Sequence, residues 1–300
     1  MKILLFGANG QVGWELRRSL APLGELVALG SAGEGGLAGN FLEPGAVAAT
    51  VEQVRPDVVV NAAAYTAVDK AESEPERART VNALAPEAIA AAARRIGAPL
   101  VHFSTDYVFD GSGSRPWRED DAPAPLSVYG RTKLEGEQRI AAAQAQHLIL
   151  RTSWVYAARG GNFAKTMLRL ARERDRLTVV DDQFGAPTGA ELLADATAHA
   201  IRALLRDPAL AGTYHLAAAG ETNWHGYARF VVGQAQRLGE ALKAGPDAIA
   251  PVPTSAFPTP ARRPQNSRLA TARFCTAFGL ELPPWERGVA RMLQELLERS

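Results

Sequence analysis

Short continuous runs of hydrophobic residues alternate with longer amphipathic stretches in the first half of the chain. The runs predict strands at residues 2–6, 25–29, 57–61, 99–104 and 147–153. The stretches between them predict helices at residues 11–22, 43–54, 72–96 and 127–146, the third with a break at Pro86. Apolar runs without alternation are typical of strands buried on both faces. The pattern therefore predicts an α/β fold with a doubly wound parallel sheet.

The pattern is less regular after about residue 155. It predicts helices at 162–174, 191–206, 224–238 and from 284 to the end, and strands at 177–180 and 212–216. The proline-rich stretch 251–264 predicts a rigid, extended loop. Residues 1–155 are expected to form the main domain, with a sheet completed by segments within 175–220. Residues 156–300 are expected to form a smaller, mostly C-terminal α/β lobe, with a ligand bound between the two.

The composition narrows the range of partners. Lys and Arg total 33 against 32 Asp and Glu, a formal charge of +1, which indicates no basic surface for nucleic acid or an anionic membrane. No apolar run is long enough to span a bilayer, and no signal peptide is recognised. Cys275 is the one cysteine of the sequence, so an intrachain disulfide is impossible. These features favour a cytoplasmic protein that binds neither nucleic acid nor membrane.

Three glycines directly follow the first predicted strand. Gly7, Gly10 and Gly13 have the spacing GxxGxxG and lead into the first predicted helix. Glycine at these positions permits a tight turn, the approach of a pyrophosphate to the backbone, and close packing of helix on strand. A glycine-rich turn without a ligand is the alternative, but the strand–turn–helix context favours a dinucleotide. The first domain is therefore predicted to be a Rossmann domain that binds NAD(P).

The end of the second predicted strand bears on the choice of cofactor. NAD-selective sites carry an Asp or Glu here, which binds the adenosine ribose. In this chain Gly30 and Ser31 follow the strand, and neither would repel a 2′-phosphate. The Ser31 hydroxyl can bond such a phosphate, although no Arg is nearby to clamp it. We expect NADP(H) to be tolerated at least, with NAD(H) as the other candidate.

Tyr129 and Lys133 are four residues apart in a predicted helix, which places them on one face. A lysine ammonium beside a tyrosine favours tyrosinate and lowers the pKa of the tyrosine toward neutral pH. Thr105 follows the fourth predicted strand, where its hydroxyl can bond a reacting oxygen. A chance pair on a helix surface is the alternative, but the glycine turn and Thr105 favour proton transfer. His102, in the same strand as Thr105, is interpreted as a packed core residue.

Together these features resemble the extended short-chain dehydrogenase/reductase superfamily, including NAAA at 61–64 and STD at 104–106. Six segments are similar, more narrowly, to the dTDP-4-dehydrorhamnose reductase family. They are TAVDKAE at 66–72, STDYVF at 104–109, RTSWVY at 151–156, NFAKTM at 162–167, DQFGAPT at 182–188 and PTPARRP at 258–264. The resemblance extends over nearly the whole chain, from residue 7 to about residue 270.

The resemblance implies a reaction and a substrate. Members of this family transfer a hydride from NAD(P)H to C4 of a 4-keto sugar carried by dTDP, the last step of dTDP-L-rhamnose synthesis. By the same resemblance Tyr129 protonates the new alkoxide, Lys133 tunes Tyr129, and Thr105 polarises the ketone. The lobe formed by residues 156–300 is then expected mainly to bind the sugar nucleotide.

Residues are assigned to the two ligands on the same basis. Those expected to bind the cofactor are Gly7, Gly10, Gln11, Val12, Ser31, Asn40, Phe41, Ala62, Ala63, Ala64, Tyr129 and Lys133. Those expected to bind the substrate are Val68, Asp69, Thr105, Asp106, Trp154, Arg262 and Arg263. Trp154 is expected to cover the sugar ring, with a place in the core as the alternative. The two arginines are expected to bind pyrophosphate, with a solvated pair as the alternative. Asn40 replaces an acid that the family usually has near the adenine.

Some members of the family form a homodimer linked by Mg²⁺ through carboxylates. Glu15 and Glu191 stand where such ligands are expected, and the ion would be structural because hydride transfer needs no metal. Two ordinary surface carboxylates are the alternative. The expected partners are therefore a dTDP-sugar and a second copy of the chain.

The sequence leaves two other functions as alternatives. A nucleotide-sugar epimerase or dehydratase would share the fold, but a dehydratase needs a pair of carboxylates after the threonine, and only Asp106 is present there. A non-catalytic regulatory homologue would have lost the chemistry, whereas Tyr129, Lys133 and Thr105 are all intact.

Overall fold

The structure is a computed structural model that describes residues 1–298. The strands of this part of the chain are β1 Lys2–Phe6, β2 Glu25–Leu29, β3 Val58–Asn61, β4 Leu100–Thr105, β5 His147–Thr152, β6 Val155–Tyr156, β7 Leu177–Val180, β8 Phe184–Gly185, β9 Thr188–Gly189, β10 Gly212–His215, β11 Thr222–Asn223 and β12 Ile249–Val252. The α-helices are α1 Gln11–Leu20, α2 Pro44–Val54, α3 Val68–Ala71, α4 Pro75–Arg79, α5 Ala85–Ile96, α6 Val128–Ala143, α7 Phe163–Glu173, α8 Ala190–Arg206, α9 Trp224–Arg237, α10 Ala272–Phe278 and α11 Trp285–Leu297.

Six parallel strands form the central sheet, in the order β10-β5-β4-β3-β1-β2. The chain progresses in opposite directions from β1, because β2 lies on one side of it and β3 on the other. Phe6, at the end of β1, pairs with both Leu29 and Asn61. Such a switch point opens a crevice at the carboxyl ends of the strands, where open α/β sheets bind their ligands.

Helices cover both faces of this sheet, and successive residues of each strand face opposite layers. Leu5 and Val60 are buried against α1 and α8 on one face. Leu4 and Val59 are buried against α2, α5 and α6 on the other. Burial on both faces explains why these strands read as continuous apolar runs. The prediction of a doubly wound parallel sheet is confirmed.

A second cluster of buried residues lies in the C-terminal half. It joins α7, α9 and α11 to the parallel pair β7 and β12, with Tyr227, Val231 and Val289 at its centre. The chain also returns to the central sheet from this half, since β10 pairs with β5 at the sheet edge. The smaller lobe is therefore continuous with the sheet through β10.

Pro86 does not break the helical stretch in the way that we predicted. It lies in the first turn of α5, and the preceding segment Thr80–Leu84 forms a π-helical turn in which the Ala85 N–H bonds the Thr80 carbonyl. A proline has no N–H to bond the carbonyl four residues before it. That carbonyl, on Asn82, is instead approached by Gly136 of α6, where a side chain would not fit. The wider turn thus accommodates the proline without ending the helix.

The prediction for the proline-rich stretch was also partly wrong. Its first residues belong to β12, which pairs with β7 in a two-stranded sheet. Pro251 is tolerated there because an edge strand leaves some N–H groups without a ladder partner. The short helices α3 and α10 were missed, since one or two helical turns give no readable periodicity.

Candidate active site

A cleft of about 770 Å³ opens at the carboxyl ends of the central strands and extends to residues of the C-terminal half. The sequence-predicted residues that line it are Gly7, Gly10, Gln11, Val12, Ser31, Asn40, Phe41, Ala62, Ala63, Ala64, Val68, Thr105, Asp106, Tyr129, Lys133 and Trp154. The predicted residues that lie elsewhere are Glu15, Asp69, Glu191, Arg262 and Arg263. Residues distant in sequence thus meet in one cleft.

The glycine turn between β1 and α1 has the geometry that phosphate binding requires. Gly7 has φ 80°, and a Cβ there would lie 2.5 Å from the Ala63 nitrogen. A Cβ at Gly13 would collide with the Gly7 carbonyl, so that only glycine allows α1 to pack this close. Gly10 caps α1 without a side-chain hydrogen bond from the described residues, and the first turn carries no acid. The free N–H groups and the helix dipole therefore suit an anion, and the turn fits the pyrophosphate of a dinucleotide.

The opposite end of the cleft, beyond β2, is more exposed. Ser31 is exposed. Asn40 is half-buried, and its amide donates to the Glu43 carboxylate at 2.9 Å and accepts from the Leu42 N–H at 3.1 Å. Phe41 is buried and packs edge-on against Phe6, with ring centroids 5.5 Å apart. The backbone and packing, rather than a free charged group, therefore shape this end.

Tyr129 lies in the first turn of α6, which begins at Ser127, whose hydroxyl accepts from the Gly130 N–H at 3.1 Å. Burial raises the pKa of Tyr129 to about 12, and the nearby Asp106 carboxylate adds to the rise, while a hydrogen bond with the Thr105 side chain opposes it. The structure contradicts the expectation that a lysine ammonium lowers this pKa: burial raises it, and the further influences on it come from Thr105 and Asp106 rather than from Lys133. At neutral pH Tyr129 is therefore a phenol, able to donate a proton.

Lys133 is buried one helical turn further along α6. Its Nζ donates to the Phe103 carbonyl at 2.6 Å and lies 3.0 Å from His102 Nε2. Burial lowers the pKa of Lys133 to about 8, against an opposing pull from the Glu137 carboxylate. Lys133 therefore changes charge in a range where an ordinary lysine stays an ammonium.

Thr105 and Asp106 follow β4 and face Tyr129. The Thr105 hydroxyl donates to Asp106 Oδ1 at 3.0 Å and accepts from the Tyr107 N–H at 3.2 Å. Burial raises the pKa of Asp106 to about 6, and hydrogen bonds from the side chains of Ser267 and Thr105 moderate the rise. The three polar groups Asp106, Thr105 and Tyr129 thus form a connected path that ends at the phenol.

Two further hydroxyls line this end of the cleft and were missed by the sequence analysis. Ser104 and Thr152 are buried at the ends of β4 and β5, and within residues 1–298 their hydroxyl oxygens have no hydrogen-bond partner. A buried polar atom without a partner is costly unless a ligand or water supplies one. Their position at strand ends was the available signal, and together with the glycine turn they fit a bound dinucleotide.

Aromatic residues form one wall of the cleft. Trp154 adopts φ 49°, which a residue other than glycine rarely does, and its ring stacks on Trp224 with centroids 3.8 Å apart. Trp224 Nε1 donates to Gln183 Oε1 at 3.0 Å, which fixes the second indole. Strain of this kind costs about 1–3 kcal/mol and is often found at functional sites. The sequence analysis found Trp154 but missed Trp224, since isolated tryptophans carry no spacing signal.

Asp69, Arg262 and Arg263 were expected at the substrate but do not line the cleft. Arg263 Nη2 contacts Asp69 Oδ2 at 2.8 Å, and the Asp69 carboxylate also accepts from the Ala261 N–H. The Arg263 guanidinium lowers the pKa of Asp69. Arg262 is exposed. Asp69 and Arg263 pair with each other, and Arg263 also bonds Tyr107, which lines the cleft. The role of these residues toward the substrate stays a prediction.

The predicted metal ligands lie apart from the cleft. Glu191 lines a separate cavity of about 260 Å³, and the charge of Glu15 contributes to raising the pKa of Glu191, after burial. Glu15 also pairs with Arg18 at 3.3 Å. Within residues 1–298 no group of three or more His, Cys, Asp or Glu side chains could hold a metal ion. The two carboxylates alone therefore do not make a metal site.

The described part of the chain contains no helix long and apolar enough to cross a membrane.

The parallel sheet, the phosphate-binding turn and the half-buried Tyr129 beside buried Lys133 and Thr105 define a nicotinamide-dependent oxidoreductase of the extended short-chain dehydrogenase/reductase class. The comparisons with known proteins narrow this class. The family model described as RmlD substrate binding domain matches residues 1–298. A dTDP-4-dehydrorhamnose reductase of Shigella flexneri is 60% identical over 296 residues, which cover 99% of this chain and 98% of that protein.

Solved structures agree with this result. The chain is similar to a dTDP-4-dehydrorhamnose reductase of Clostridium acetobutylicum, with a TM-score of 0.87, 34% identity, and coverage of 99% of this chain and 100% of that one. It is also similar to a dTDP-4-dehydrorhamnose reductase of Bacillus anthracis in complex with NADP, with a TM-score of 0.86, 34% identity, and coverage of 98% and 99%. The chain belongs to the dTDP-4-dehydrorhamnose reductase family, and the resemblance read from its sequence is confirmed.

Proposed function

We propose that this chain reduces the C4 ketone of dTDP-4-dehydro-β-L-rhamnose with NAD(P)H to give dTDP-β-L-rhamnose, the last step of dTDP-rhamnose synthesis. The observation that carries the proposal is the contact between the Tyr129 phenol and Thr105 in the cleft that the glycine turn also lines. A reduction needs a proton donor beside the carbonyl oxygen, and a protonated tyrosine supplies one. Membership of the family supports the choice of sugar nucleotide.

The catalytic residues are Tyr129, Thr105 and Lys133. The nicotinamide, when bound, supplies the hydride that C4 receives. Tyr129 holds its proton at neutral pH and donates it to the C4 oxygen as negative charge develops there. Thr105, which bonds Tyr129 and Asp106, orients the phenol and polarises the ketone. Lys133 is buried one helical turn after Tyr129 and lines the same cleft, where its Nζ would hold the nicotinamide ribose.

The residues proposed to hold the cofactor follow the edge of the sheet. Gly7, Gly10, Gln11 and Val12 would bind its pyrophosphate at the N-terminus of α1. Ala62, Ala63 and Ala64 follow β3 and line the cleft, and Ser31, Asn40 and Phe41 would border the adenosine. Both NADP(H) and NAD(H) are accepted, since no acid follows β2, and the relative from Bacillus anthracis supports NADP.

The sugar nucleotide occupies the part of the cleft that faces the C-terminal half. Val68 and Asp106 border the sugar, and the Trp154 indole covers its ring, supported by Trp224. Residues 1–155 then mainly hold the dinucleotide and residues 156–300 the sugar nucleotide, although β10 belongs to the central sheet.

The direct test measures NADPH oxidation with dTDP-4-dehydro-L-rhamnose, beside the UDP-linked and C4-epimeric analogues as controls. We expect one NADPH to be consumed for each dTDP-rhamnose formed, and slower turnover of the analogues. An epimerase would instead carry bound NAD after purification and consume no NADPH. A regulatory homologue would show no turnover with any sugar. Either result would contradict the proposal.

We further propose a cytoplasmic homodimer. The resemblance to Mg²⁺-linked family members supports it, as does the proximity of Glu15 and Glu191 outside the cleft. Because one chain supplies no complete ligand set within residues 1–298, a metal would need groups from a second copy. Chelation should lower both the dimer mass, measured by light scattering, and the activity. If neither changed, the Mg²⁺ link would be abandoned, and a monomer before chelation would exclude the dimer.

A further inference from the structure

The residues that follow β2 bring no free charge to the cleft, but α4 does. Among residues 1–298, two basic side chains line the cleft, and they belong to Lys133 and Arg77. Lys133 is buried near Tyr129, where its Nζ donates to the Phe103 carbonyl. Arg77 lies in α4, and its side chain is 56% exposed. Arg77 is therefore the cation of the cleft that an anionic group of a cofactor can reach from solvent.

Two hydrogen bonds fix the segment that carries Arg77 beside the cleft. The Tyr65 N–H donates to Asn82 Oδ1 at 2.8 Å, and Asn82 Nδ2 donates to the Tyr65 carbonyl at 3.2 Å. Asn82 is buried in the π-helical turn that follows α4, and Tyr65 lies in the loop after β3 and lines the cleft. The position of Arg77 is thus set by a buried contact, although its own side chain is exposed.

The next turn of this segment shows which part of the cleft Arg77 borders. Val81 follows Arg77 by four residues, and both side chains line the cleft. Val81 packs against the cluster of buried residues that contains Phe41 and Leu29. Phe41 lines the cleft where the adenosine is expected, and Leu29 ends β2. Arg77 therefore borders the expected adenosine from the side of β3, whereas Ser31 borders it from the side of β2.

The Arg77 guanidinium is only loosely engaged. Its Nε lies 3.8 Å from Glu74 Oε2, which is beyond hydrogen-bond distance. Lys70 Nζ lies 2.9 Å from Glu74 Oε1, and the Tyr65 hydroxyl donates to Glu74 Oε2 at 2.8 Å. Two closer groups thus already satisfy the Glu74 carboxylate, and a distant pair at the surface stabilises little. The donors of the guanidinium are therefore available to a ligand.

We propose that Arg77 binds the 2′-phosphate of NADPH and makes this chain prefer NADPH to NADH. The inference rests on the cofactor site proposed above and adds a specificity-determining residue to it. A planar guanidinium matches the geometry of a phosphate and can bind two of its oxygens at once. Ser31 offers a hydroxyl from the opposite side, and no acid directly follows β2 to repel the anion. The sequence analysis found no arginine near Ser31 because Arg77 is distant from it along the chain.

The expected preference is modest, since water and salt screen an exposed pair of charges. Loss of Arg77 should raise the Kd for NADPH about fivefold, which corresponds to about 1 kcal/mol. NADH has no 2′-phosphate, so its Kd should not depend on Arg77. The pyrophosphate is common to both cofactors and is expected at the glycine turn, so a contact there would not discriminate between them.

Binding to the full chain without sugar tests the proposal. Isothermal titration calorimetry measures the Kd of NADPH and of NADH for the wild type and for Arg77→Ala. We expect the Kd for NADPH to rise about fivefold in the variant and the Kd for NADH to stay the same. The matched control is Arg94→Ala, which removes an exposed arginine of α5 that does not line the cleft and should change neither Kd. Circular dichroism confirms that both variants are folded.

Two fragments of the cofactor separate its phosphates. Adenosine 2′,5′-bisphosphate carries the 2′-phosphate without the nicotinamide half, and 5′-AMP lacks that phosphate. Arg77→Ala should weaken the bisphosphate by about the same factor as NADPH and leave 5′-AMP unchanged. Equal weakening of both cofactors, or of both fragments, would place Arg77 at a shared phosphate or at the adenine and would overturn the proposal. An unchanged Kd for NADPH would overturn it as well.

These binding measurements do not depend on the proposed reaction. If the chain reduced no keto sugar but lost its preference for NADPH in Arg77→Ala, the proposed function would fail and this inference would stand. If the chain reduced the keto sugar and Arg77→Ala left both Kd values unaltered, the inference would fail and the proposed function would stand.

Discussion

The two ends of the cleft differ in how firmly the protein fixes them. At the proton-transfer end, Thr105, Asp106 and Lys133 are buried, and the pKa values of Asp106 and Lys133 are displaced toward neutrality. At the end proposed to bind the adenosine, called the adenosine end below, Ser31 is exposed and Asn40 is bonded to its own loop. Proton transfer depends on an accurate geometry and a dry environment, whereas a ribose can be bound by an adaptable loop.

This difference predicts how the two ends respond to substitution. Changes at the buried end should affect the rate and the pH dependence of stability, because few alternative arrangements exist there. Changes at the exposed end should affect affinity for one cofactor, by amounts typical of solvated groups.

The largest effect is expected for Tyr129→Phe. Loss of the phenolic proton should lower kcat by about 10³-fold, within the range of general acid catalysis, and leave the Kd for NADPH nearly unchanged. Stopped-flow reduction and fluorescence titration measure the two quantities. Tyr227→Phe is the control, because the Tyr227 hydroxyl is buried away from the cleft without a partner among the described residues. Equal losses in the two variants would remove Tyr129 from the mechanism.

Asp106→Asn should change how stability depends on pH. The folded state raises the pKa of Asp106 from 3.8 to about 6. The contribution of this carboxyl to the free energy of unfolding is therefore full below its unfolded pKa of 3.8 and is lost as the pH rises through 6. The difference between these two pKa values corresponds to about 3 kcal/mol. The interval from pH 4 to pH 7 covers most of this loss, so the free energy of unfolding of the variant should gain about 2 kcal/mol on the wild type across it.

Urea denaturation at both pH values measures this gain. Asp121→Asn is the control, and the difference between its free energy of unfolding and that of the wild type should change with pH in the opposite direction. Hydrogen bonds from Arg115 and the Arg118 backbone lower the pKa of Asp121 to about 2. If the free energy of unfolding changed with pH in the same way in the wild type and in Asp106→Asn, folding would not raise the pKa of Asp106.

Gly10→Ala should weaken NADPH binding by about tenfold, or about 1.4 kcal/mol, and leave folding intact. The nearest atom that a Cβ at Gly10 would meet is the Gly7 oxygen at 3.4 Å, so the fold tolerates the added methyl. Gly10 lines the cleft, where the methyl would crowd the expected pyrophosphate. Gly45→Ala, in α2 with open space around the new methyl among the described residues, should leave affinity unaltered. Calorimetry measures both, and an unaltered Kd for Gly10→Ala would place the pyrophosphate elsewhere.

The smallest effect is expected at the adenosine end. Ser31→Asp adds a carboxylate near the expected 2′-phosphate, and repulsion of about 1 kcal/mol in water should raise the KM for NADPH about fivefold. The KM for NADH should stay the same, and Ser31→Asn is the uncharged control. A similar rise for both cofactors would show that Ser31 does not discriminate between them.

Features of the site that depend on residues close in sequence were predicted, whereas features that depend on contacts between distant residues were not. The glycine turn and the pair Tyr129 and Lys133 are local patterns, and Gly7, Gly10 and the pair line the cleft. Ser104, Thr152 and the polar contacts of His102 were missed, although each residue lies in a strand whose position was predicted. What they do depends on the partner across the sheet or helix, which the sequence does not reveal.

The sequence by itself determined the parallel sheet, the phosphate-binding turn and the family, because hydrophobic periodicity and short motifs depend on neighbouring residues. Only the tertiary structure decided the ionisation of the site. It showed that burial raises the pKa of Tyr129, and that Asp69, which does not line the cleft, pairs with Arg263. It also joined Asn61 and His102 to Lys133. Desolvation and pairing depend on which groups meet in space, and folding alone brings them together.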